Sequence, residues 1–418
     1  MRNIIMFILF FPFFIFGENV LTLSDAIKIA IENNLEMKIA KDKIEKAYYQ
    51  KEEAHTYFLP KFSSSFDYTY LGGNEIPTMD DNQFNLTFSL SQPIYTGKRI
   101  QETYEISKEN LDNAKLEYNV QLQNLIFNVK KGYFSILQAN KFLKTSERYK
   151  QMLEKHMDDA KKLFEQGLVT NLDILRTEVS VKNAETQIIQ AENLIKISKS
   201  NFNYILNNPI DNEFEVEDVL EIKGDKRDYE YWKTLALENR PEIKSMEKLL
   251  SIYNRAINVE RSNLYPQVYL FYNYNTDRGI QVSPNSWNPN WNTGIALTLD
   301  IWNWGETKDK VKQAESEKKQ VEKQLEITKK SIELEVKNCY LNLLANEKSI
   351  EERIKQMETA EENLRVANLL YQEGMATTTE VIEAATALTE ATNNYSQALY
   401  DYHISFAELE KASGKGVE

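Results

Sequence analysis

The chain has 418 residues and a formal net charge of −13, from 50 basic and 63 acidic residues. Glycine and proline number only 13 and 9. They make up about 5% of the chain against a usual share of about 12%, which excludes a fold of many short turns and predicts long helices. No basic block stands out, so we expect no nucleic-acid partner. The single cysteine excludes an intrachain disulfide and a cysteine-based metal site.

The N-terminus carries the pattern of a secretory signal peptide. Arg2 precedes an apolar run at residues 4–16, and Gly17 is a small residue at which cleavage could fall. We therefore predict a signal peptide at residues 1–17. An uncleaved anchor is the alternative, but a membrane span needs about 20 apolar residues. Elsewhere no apolar run is long enough for a transmembrane helix.

The rest of the chain repeats itself at about half its length. Residues 32–36 recur at 238–242, and residues 163–168 recur at 370–375. A period this long predicts two copies of a whole module. The predicted division is a first repeat at 18–206, a connector at 207–228, a second repeat at 229–413 and a tail at 414–418.

Each repeat is predicted to contain a helix, two strands, a very long helix and a further helix. Apolar and polar residues alternate over strand segments of about ten residues, a length that fits membrane-spanning strands. A soluble hairpin packed on a core is the alternative. The aromatic content and the interruption of long helices favour the membrane. Strands are predicted at about 61–70, 83–92, 267–275 and 291–301, and helices at 24–58, 99–166, 170–206, 229–264, 306–373 and 377–413.

The placement of aromatic residues and a regularly spaced stripe indicate how these strands and helices pack. Four of the five tryptophans fall within residues 287–304. A stripe of positions from Val336 to Tyr371, apolar except for Asn346 and Arg353, is spaced alternately three and four residues apart, which predicts coiled-coil packing of the long helix. The aromatic residues that we predict at the membrane interfaces are Tyr70, Tyr95, Trp291, Trp302 and Trp304.

The number of strands has a consequence for assembly. The smallest membrane barrels have eight strands, so the four strands of one chain cannot close a barrel. An open sheet in lipid would leave backbone groups unpaired. The strands must therefore be shared between chains. Two chains would supply eight strands and three would supply twelve, and the sequence pattern does not choose between them.

The chain resembles the TolC-like outer-membrane efflux protein family over nearly its whole mature length. The duplicated module, the Leu59-Pro60 and Tyr265-Pro266 pairs before strands, and the tip segments around Gly167 and Gly374 carry the resemblance. It implies a mainly α-helical fold with a small membrane β-barrel. It implies further a homotrimer in the outer membrane, whose twelve-stranded barrel continues into a long periplasmic coiled-coil α-helical barrel. The connector would then be an equatorial belt.

The family resemblance also implies a function. It implies the exit duct of a tripartite efflux or type I secretion system, which passively conducts substrates to the exterior. The implied partners are a periplasmic adaptor (membrane fusion) protein and an inner-membrane transporter of the RND, ABC or MFS class. An exported coiled-coil structural or adhesion protein is the alternative, which leaves the four strands unexplained. We see no nucleophile elbow, phosphate loop or metal-ligand cluster, and expect no enzyme, catalytic residue, cofactor or metal.

Two groups of residues follow as candidate sites. The turns between the helices of each repeat would contact the adaptor, through Gly167, Leu168, Val169, Thr170, Gly374, Met375, Ala376 and Thr377. The resemblance implies a periplasmic aperture formed by Asp173, Tyr371, Glu380 and Glu383. Thr170 with Asp173, and Thr377 with Glu380, also fit helix capping boxes, and this alternative stays open.

Overall fold

The computed structural model describes residues 20–73, 80–218, 227–279 and 286–415. The signal peptide predicted at residues 1–17 lies outside these ranges, as do residues 219–226 of the predicted connector. In chain order the elements are β1 (Val20–Leu21), α1 (Leu23–Asn33), α2 (Leu35–Thr56), β2 (Lys61–Tyr70), β3 (Asn82–Tyr95), α3 (Arg99–Glu165), α4 (Asn171–Leu206), β4 (Glu215–Val216), α5 (Tyr229–Asn239), α6 (Pro241–Arg261), a 3₁₀ turn (Ser262–Leu264), β5 (Gln267–Arg278), β6 (Asn288–Thr298), α7 (Glu306–Gln372) and α8 (Thr378–Ala412).

The chain forms two compact units, and neither follows a sequence repeat. One unit takes residues 1–37, 122–236 and 334–418, and we call it the tip unit. The other takes residues 38–121 and 237–333, and we call it the sheet unit. Each unit combines matching parts of both repeats. The mainly helical fold with a small antiparallel sheet agrees with the expected fold class.

The sheet unit contains all four long strands. They pair antiparallel in the order β2-β3-β5-β6, so the two hairpins join through β3 and β5. The fourth strand differs from the expected 291–301, because it begins at Asn288 and ends at Thr298. Its ladder with β5 runs only from Thr298, opposite Gln267, to Asn288, opposite Asp277. Residues 299–301 continue the apolar alternation but have no opposite residue in β5.

The first helix of each repeat is broken, where the sequence pattern predicts one continuous helix. Asn34 adopts an extended backbone with ψ 132°, and its side-chain oxygen accepts from the N–H groups of Glu36 and Met37. It therefore caps α2 from inside the predicted helix. In the second repeat the break falls at Arg240, ψ 121°, because the following Pro241 disfavours the helical conformation there. The two breaks occupy matching positions of the duplication.

The predicted coiled-coil stripe on α7 is borne out in the tip unit. Every stripe position from Val336 to Tyr371 is buried or half-buried, and Val336 is completely buried. Elsewhere in this unit the core is aromatic, with Tyr133, Phe202 and Trp232 at most 1% exposed. The Tyr133 hydroxyl lies 3.0 Å from the Leu21 carbonyl and 2.9 Å from the Glu217 carbonyl. It thus ties the short parallel pair of β1 and β4 to α3.

Candidate functional site

The two helix-hairpin turns of the tip unit have the same backbone geometry. Gly167 and Gly374 both have φ 73°, a left-handed conformation that residues other than glycine adopt only with strain. The next N–H in each turn donates back into the preceding helix, Leu168 to Leu163 at 2.9 Å and Met375 to Leu370 at 2.8 Å. Each long helix therefore ends in a Schellman-type glycine cap. Equal geometry at matching positions shows that the duplication extends to the turns.

The side chains of the turns point in two directions. Leu168 and Met375 are each 69% exposed, so an apolar side chain stands in solvent at the same point of both turns. Val169 and Ala376, the next residues, pack instead against the buried cluster that includes Leu153, Leu364 and Tyr371, which we call the tip core. Sequence reasoning expected Val169 to be exposed with Leu168. The fold turns it inward because Thr170 must start the next helix at that point.

Asp173 and Glu380 form the two capping boxes that the sequence pattern suggested. The Thr170 N–H and hydroxyl donate to one oxygen of the Asp173 carboxylate at 3.0 and 2.7 Å. The Thr377 N–H and hydroxyl donate to one oxygen of the Glu380 carboxylate at 2.6 and 3.0 Å. These hydrogen bonds lower the pKa of both carboxyl groups, so each is charged at neutral pH. Capping and an aperture role are compatible, since one oxygen of each carboxylate accepts both bonds.

Tyr371 lies inside the tip core. Its side chain is 3% exposed, and its hydroxyl accepts a hydrogen bond from Thr378 at 3.2 Å. Burial raises the pKa of the hydroxyl, and the charge of Asp173 raises it further. Glu380 and Glu383, by contrast, are exposed on the first turns of α8. The structure therefore buries Tyr371 and leaves Glu380 and Glu383 at the surface of the first turns of α8.

His156 is a residue of this region that sequence reasoning missed. It is 4% exposed, its ring lies 4.6 Å from the Tyr371 ring, and its Nε2 has no hydrogen-bond partner. Burial lowers its pKa, although the charges of Asp159 and Asp173 partly oppose this. The sequence contains one indication of this position. His156 follows Leu153 by three residues, so both lie on one face of α3, and the structure buries that face.

Acid should loosen the tip unit through His156. Its pKa is lower in the folded protein than the value of about 6.5 in the unfolded chain, so the unfolded chain binds the proton first. Folding stability should therefore fall as pH decreases below about 6.5, and stay unaffected above it. Between pH 7 and pH 5, the melting temperature of His156→Phe should fall by less than that of the wild type. His55→Gln, at an exposed histidine, is the control, and equal slopes in all three proteins would contradict the assignment.

A groove runs beside the tip between α4 and α8. It measures about 570 Å³ and is lined by Leu172, Leu175, Val179, Ile382 and Glu383, among others. Three of these are exposed apolar residues on one face of α4, with Leu172 54%, Leu175 49% and Val179 60% exposed. These residues were not identified from the sequence, although their spacing of three and four residues places them on one face of a helix. Arg176, Ser180 and Thr379 complete the lining, so the groove combines apolar, polar and charged side chains.

In the sheet unit, the ladder separates two chemically different faces. Directly opposed residues lie on the same face, so the register assigns each side chain to a face. One face carries Phe62, Phe66, Tyr68, Tyr70, Phe84, Leu86, Phe88, Leu90, Val268, Leu270, Tyr272, Tyr274, Trp291, Ile295 and Leu297. The other carries mainly serine, threonine, asparagine and aspartate. The apolar face includes strongly exposed residues, with Phe62 69% and Ile295 71% exposed.

The predicted interface aromatics lie near both ends of these strands. Tyr70 is the last residue of β2 and Tyr95 the last of β3, so they mark opposite ends of the antiparallel pair. Trp291 lies within β6, opposite Tyr274. Trp302 and Trp304 follow β6 and are 74% and 89% exposed, with ring centroids 5.8 Å apart. A membrane-interface role for these five residues remains our prediction.

The fold and the two-faced sheet are those of an outer-membrane channel protein, and comparisons agree. The chain belongs to the outer membrane efflux protein family, whose model matches residues 26–208 and 232–415. It is 21% identical over 417 residues to the alkaline protease secretion protein AprF of Pseudomonas aeruginosa, covering 94% of this chain and 84% of AprF. It is 22% identical over 386 residues to the outer membrane protein TolC of Escherichia coli, covering 88% of this chain and 77% of TolC.

Solved structures show the same fold. The outer membrane channel CmeC of Campylobacter jejuni superposes with a TM-score of 0.81 at 20% identity, over 95% of this chain and 86% of CmeC. The resemblance inferred from the sequence is thereby confirmed, and the protein is located in the outer membrane with a periplasmic helical extension.

None of the helices among the described residues has both the length and the apolar character needed to cross a membrane. Among the same residues, no group of three or more histidine, cysteine, aspartate and glutamate side chains is placed to hold a metal ion.

Proposed function

We propose that the protein is the exit duct of a tripartite efflux or type I secretion system and works as a homotrimer. The observation that carries this proposal is the sheet, which has one apolar and one polar face and two unpaired edges. Within the described residues β2 pairs only with β3, and β6 only with β5. In lipid, unpaired strand edges are strongly unfavourable, so the edges require partners from other chains.

Strand direction supports closure between chains. The four strands alternate in direction, so β6 of one chain meets β2 of the next in antiparallel orientation. Every added chain therefore extends the sheet without breaking the pattern. Eight strands would leave a lumen filled by side chains, whereas twelve strands open a passage, so export favours three chains. The polar face then lines the passage and the aromatic face contacts lipid.

Cysteine crosslinking tests this assembly. In a Cys339→Ala background, a cysteine at Ser65 of β2 combined with cysteines scanned along Asn290, Asn292 and Gly294 on the same face of β6 should link chains into trimers on oxidation. Disulfides form only between Cα atoms within about 7 Å, so a link reports strand pairing. The pair Ser65 and Thr87, directly opposed within one chain, is the control that should give no intermolecular link. A stable folded monomer by mass in detergent would contradict the proposal.

The tip unit would form the periplasmic end of the duct. Leu168 and Met375 are exposed, and the groove of α4 and α8 adds further exposed apolar side chains. Exposed apolar surfaces of this kind mark interaction sites. We propose that they bind a periplasmic adaptor protein, which connects the duct to an inner-membrane transporter of the RND, ABC or MFS class. The name of AprF suggests protein secretion and the family name suggests efflux, so both systems remain within the proposal.

Glu380 and Glu383 would form the charged ring of the aperture. They are exposed and three residues apart on α8, so both can face the passage. Three chains would bring six carboxylates into one narrow ring, which favours cations and repels anions. Asp173 and Tyr371 would support the ring from the turn and from the core behind it.

Charge removal tests the aperture. Glu380→Gln combined with Glu383→Gln should lower cation selectivity and weaken block by trivalent cations in single-channel recordings. Glutamine at the third helical position also completes a capping box, so thermal stability should hardly change. Glu361→Gln, at an exposed position of α7, is the control. Unchanged selectivity with a clear loss of stability would assign the carboxylates to capping alone.

The N-terminal segment and the connector would serve export and assembly. Residues 1–17 would be removed on export as a signal peptide. Residues 207–228 would form an equatorial connector between the repeats, and its described part includes β4, whose pairing with β1 fastens it to the tip unit. The duct itself would be passive, with no catalytic residue and no cofactor.

A further inference from the structure

The polar face of the sheet carries a transverse row of oxygen-bearing side chains near the β2–β3 turn. Asn85 of β3 lies opposite Asp67 of β2 on one side and opposite Asp277 of β5 on the other. Asn288 of β6 lies opposite Asp277 and continues the row. Because opposed residues share a face, all four side chains project to the same side of the sheet. We call these four residues the acid–amide row.

Two oxygens in this row are buried without a hydrogen-bond partner. Asp277 is only 4% exposed, and its Oδ2 accepts no hydrogen bond. The Oδ1 of Asn85, the directly opposed residue, is also buried and unpartnered. Buried carboxylates and amides in folded proteins are almost always paired, because an unpaired buried charge is strongly unfavourable. A positively charged group beside Asp277 would satisfy its unpartnered oxygen, and the Asn85 amide lies directly opposite.

The described residues of the sheet supply no such group. The only basic residue on the polar face of the four strands is Lys61, opposite Ser91. It lies six residues from Asp67 along β2, about 20 Å away at 3.3 Å per residue. A further acid lies at the same end of the sheet, because the Asp80 N–H donates to the Gly279 carbonyl at 2.9 Å. Arg278, the chain neighbour of Asp277, lies opposite Phe84 and so belongs to the other face. Among the described residues, the polar face at this end of the sheet is therefore negatively charged.

We propose that the acid–amide row binds a hard divalent cation, Ca²⁺ in preference to Mg²⁺. The carboxylates of Asp67 and Asp277 flank the carboxamide of Asn85 on three adjacent strands, and carboxylate and carboxamide oxygens are the donors that these cations take. Ca²⁺ accepts irregular arrangements of six to eight oxygens, with water completing the set, whereas Mg²⁺ demands a near-ideal octahedron. The bound cation would tie β2 and β3 of the first repeat to β5 of the second, on the side of the sheet that faces the passage.

Terbium luminescence tests the site directly. Tb³⁺ substitutes for Ca²⁺, and its emission is excited through nearby tyrosines such as Tyr68, next to Asp67. The measurement uses the detergent-purified protein with Glu380→Gln and Glu383→Gln, so that Tb³⁺ does not collect at the tip. We expect saturable emission that excess Ca²⁺ displaces. Asp277→Asn, which keeps the size of the side chain, should weaken binding by about tenfold or more.

A gain of charge separates cation binding from a structural role. Asn85→Asp should tighten Tb³⁺ and Ca²⁺ binding, because it adds a carboxylate where the unpartnered oxygen lies. Asn292→Asp, on the same face of β6 about 13 Å from Asn288, is the matched control and should change neither affinity. Absence of emission in the parent protein would overturn the proposal, as would equal binding by the Asp277→Asn and Asn85→Asp variants. These measurements need no adaptor, transporter or export, so they fail or succeed independently of the duct proposal.

Discussion

Phe88→Arg should prevent assembly of the protein in the membrane, whereas Ser89→Arg, one residue further along β3, should be tolerated. Phe88 lies near the middle of β3 on the apolar face, between Ser64 and Tyr274. An arginine at the lipid-facing midplane of a barrel lowers the folding stability by about 2–4 kcal/mol per chain. A trimer would bear this cost three times. Ser89 lies on the polar face, where an arginine side chain projects into water.

The measurement compares the outer-membrane level of both variants and their resistance to urea after refolding into lipid vesicles. Both variants introduce the same charge at adjacent positions, and Ser89→Arg adds more side-chain volume than Phe88→Arg, so a steric effect alone would favour Phe88→Arg. The difference between them therefore isolates the face of the sheet from the effect of charge. Equal loss in both variants, or greater loss for Ser89→Arg, would mean that the apolar face packs against protein and would remove the main support for the duct.

Leu168→Asp combined with Met375→Asp should abolish export while leaving the amount of trimer in the outer membrane unchanged. Both side chains are 69% exposed, so their replacement removes little packing within the chain. It places charges at the centre of the apolar surface that we assign to the adaptor. Truncation of a central interface residue can lower the binding free energy by more than about 2 kcal/mol. A buried unpaired charge at such a position weakens binding further.

The matched control adds the same charges beside the turns. Gln166→Asp with Gln372→Asp changes two exposed polar residues, one and two positions before the same glycines, and removes no apolar side chain. We expect this control to retain most of its export, measured by cargo release or by drug susceptibility of the host. Full export by the Leu168 and Met375 double variant would exclude the turns as the adaptor contact. Loss of export in both proteins would point to net charge rather than to the apolar contact.

Local rules explain why the turns and caps were predictable from the sequence. A glycine followed by Thr-x-x-Asp or Thr-x-x-Glu defines both the end of one helix and the start of the next. The structure has these features at Gly167 and Thr170 and again at Gly374 and Thr377. Each depends only on residues within one turn of each other, so no distant contact can alter it.

The breaks at Asn34 and Arg240 were not predicted, although each also has a local cause. The apolar spacing continues across both positions, and it masked the asparagine cap and the residue before proline. Asn34 also depends on a distant contact, because its Nδ2 donates to the Ile205 carbonyl at 3.0 Å. That hydrogen bond joins residues 171 positions apart, and periodicity within one helix contains no information about it.

The sequence by itself determined the duplication, the positions of the long helices and strands, the alternating faces of the strands and the two capped turns. All of these follow from hydrophobic period and from glycine, proline and threonine at fixed offsets. Only the tertiary structure decided which strands pair and where β6 ends, since the length of the ladder depends on β5. It alone placed His156 against Tyr371 and left Asp277 buried beside Asn85. Burial and pairing are properties of neighbours that are distant in sequence, so they are fixed only when the chain has folded.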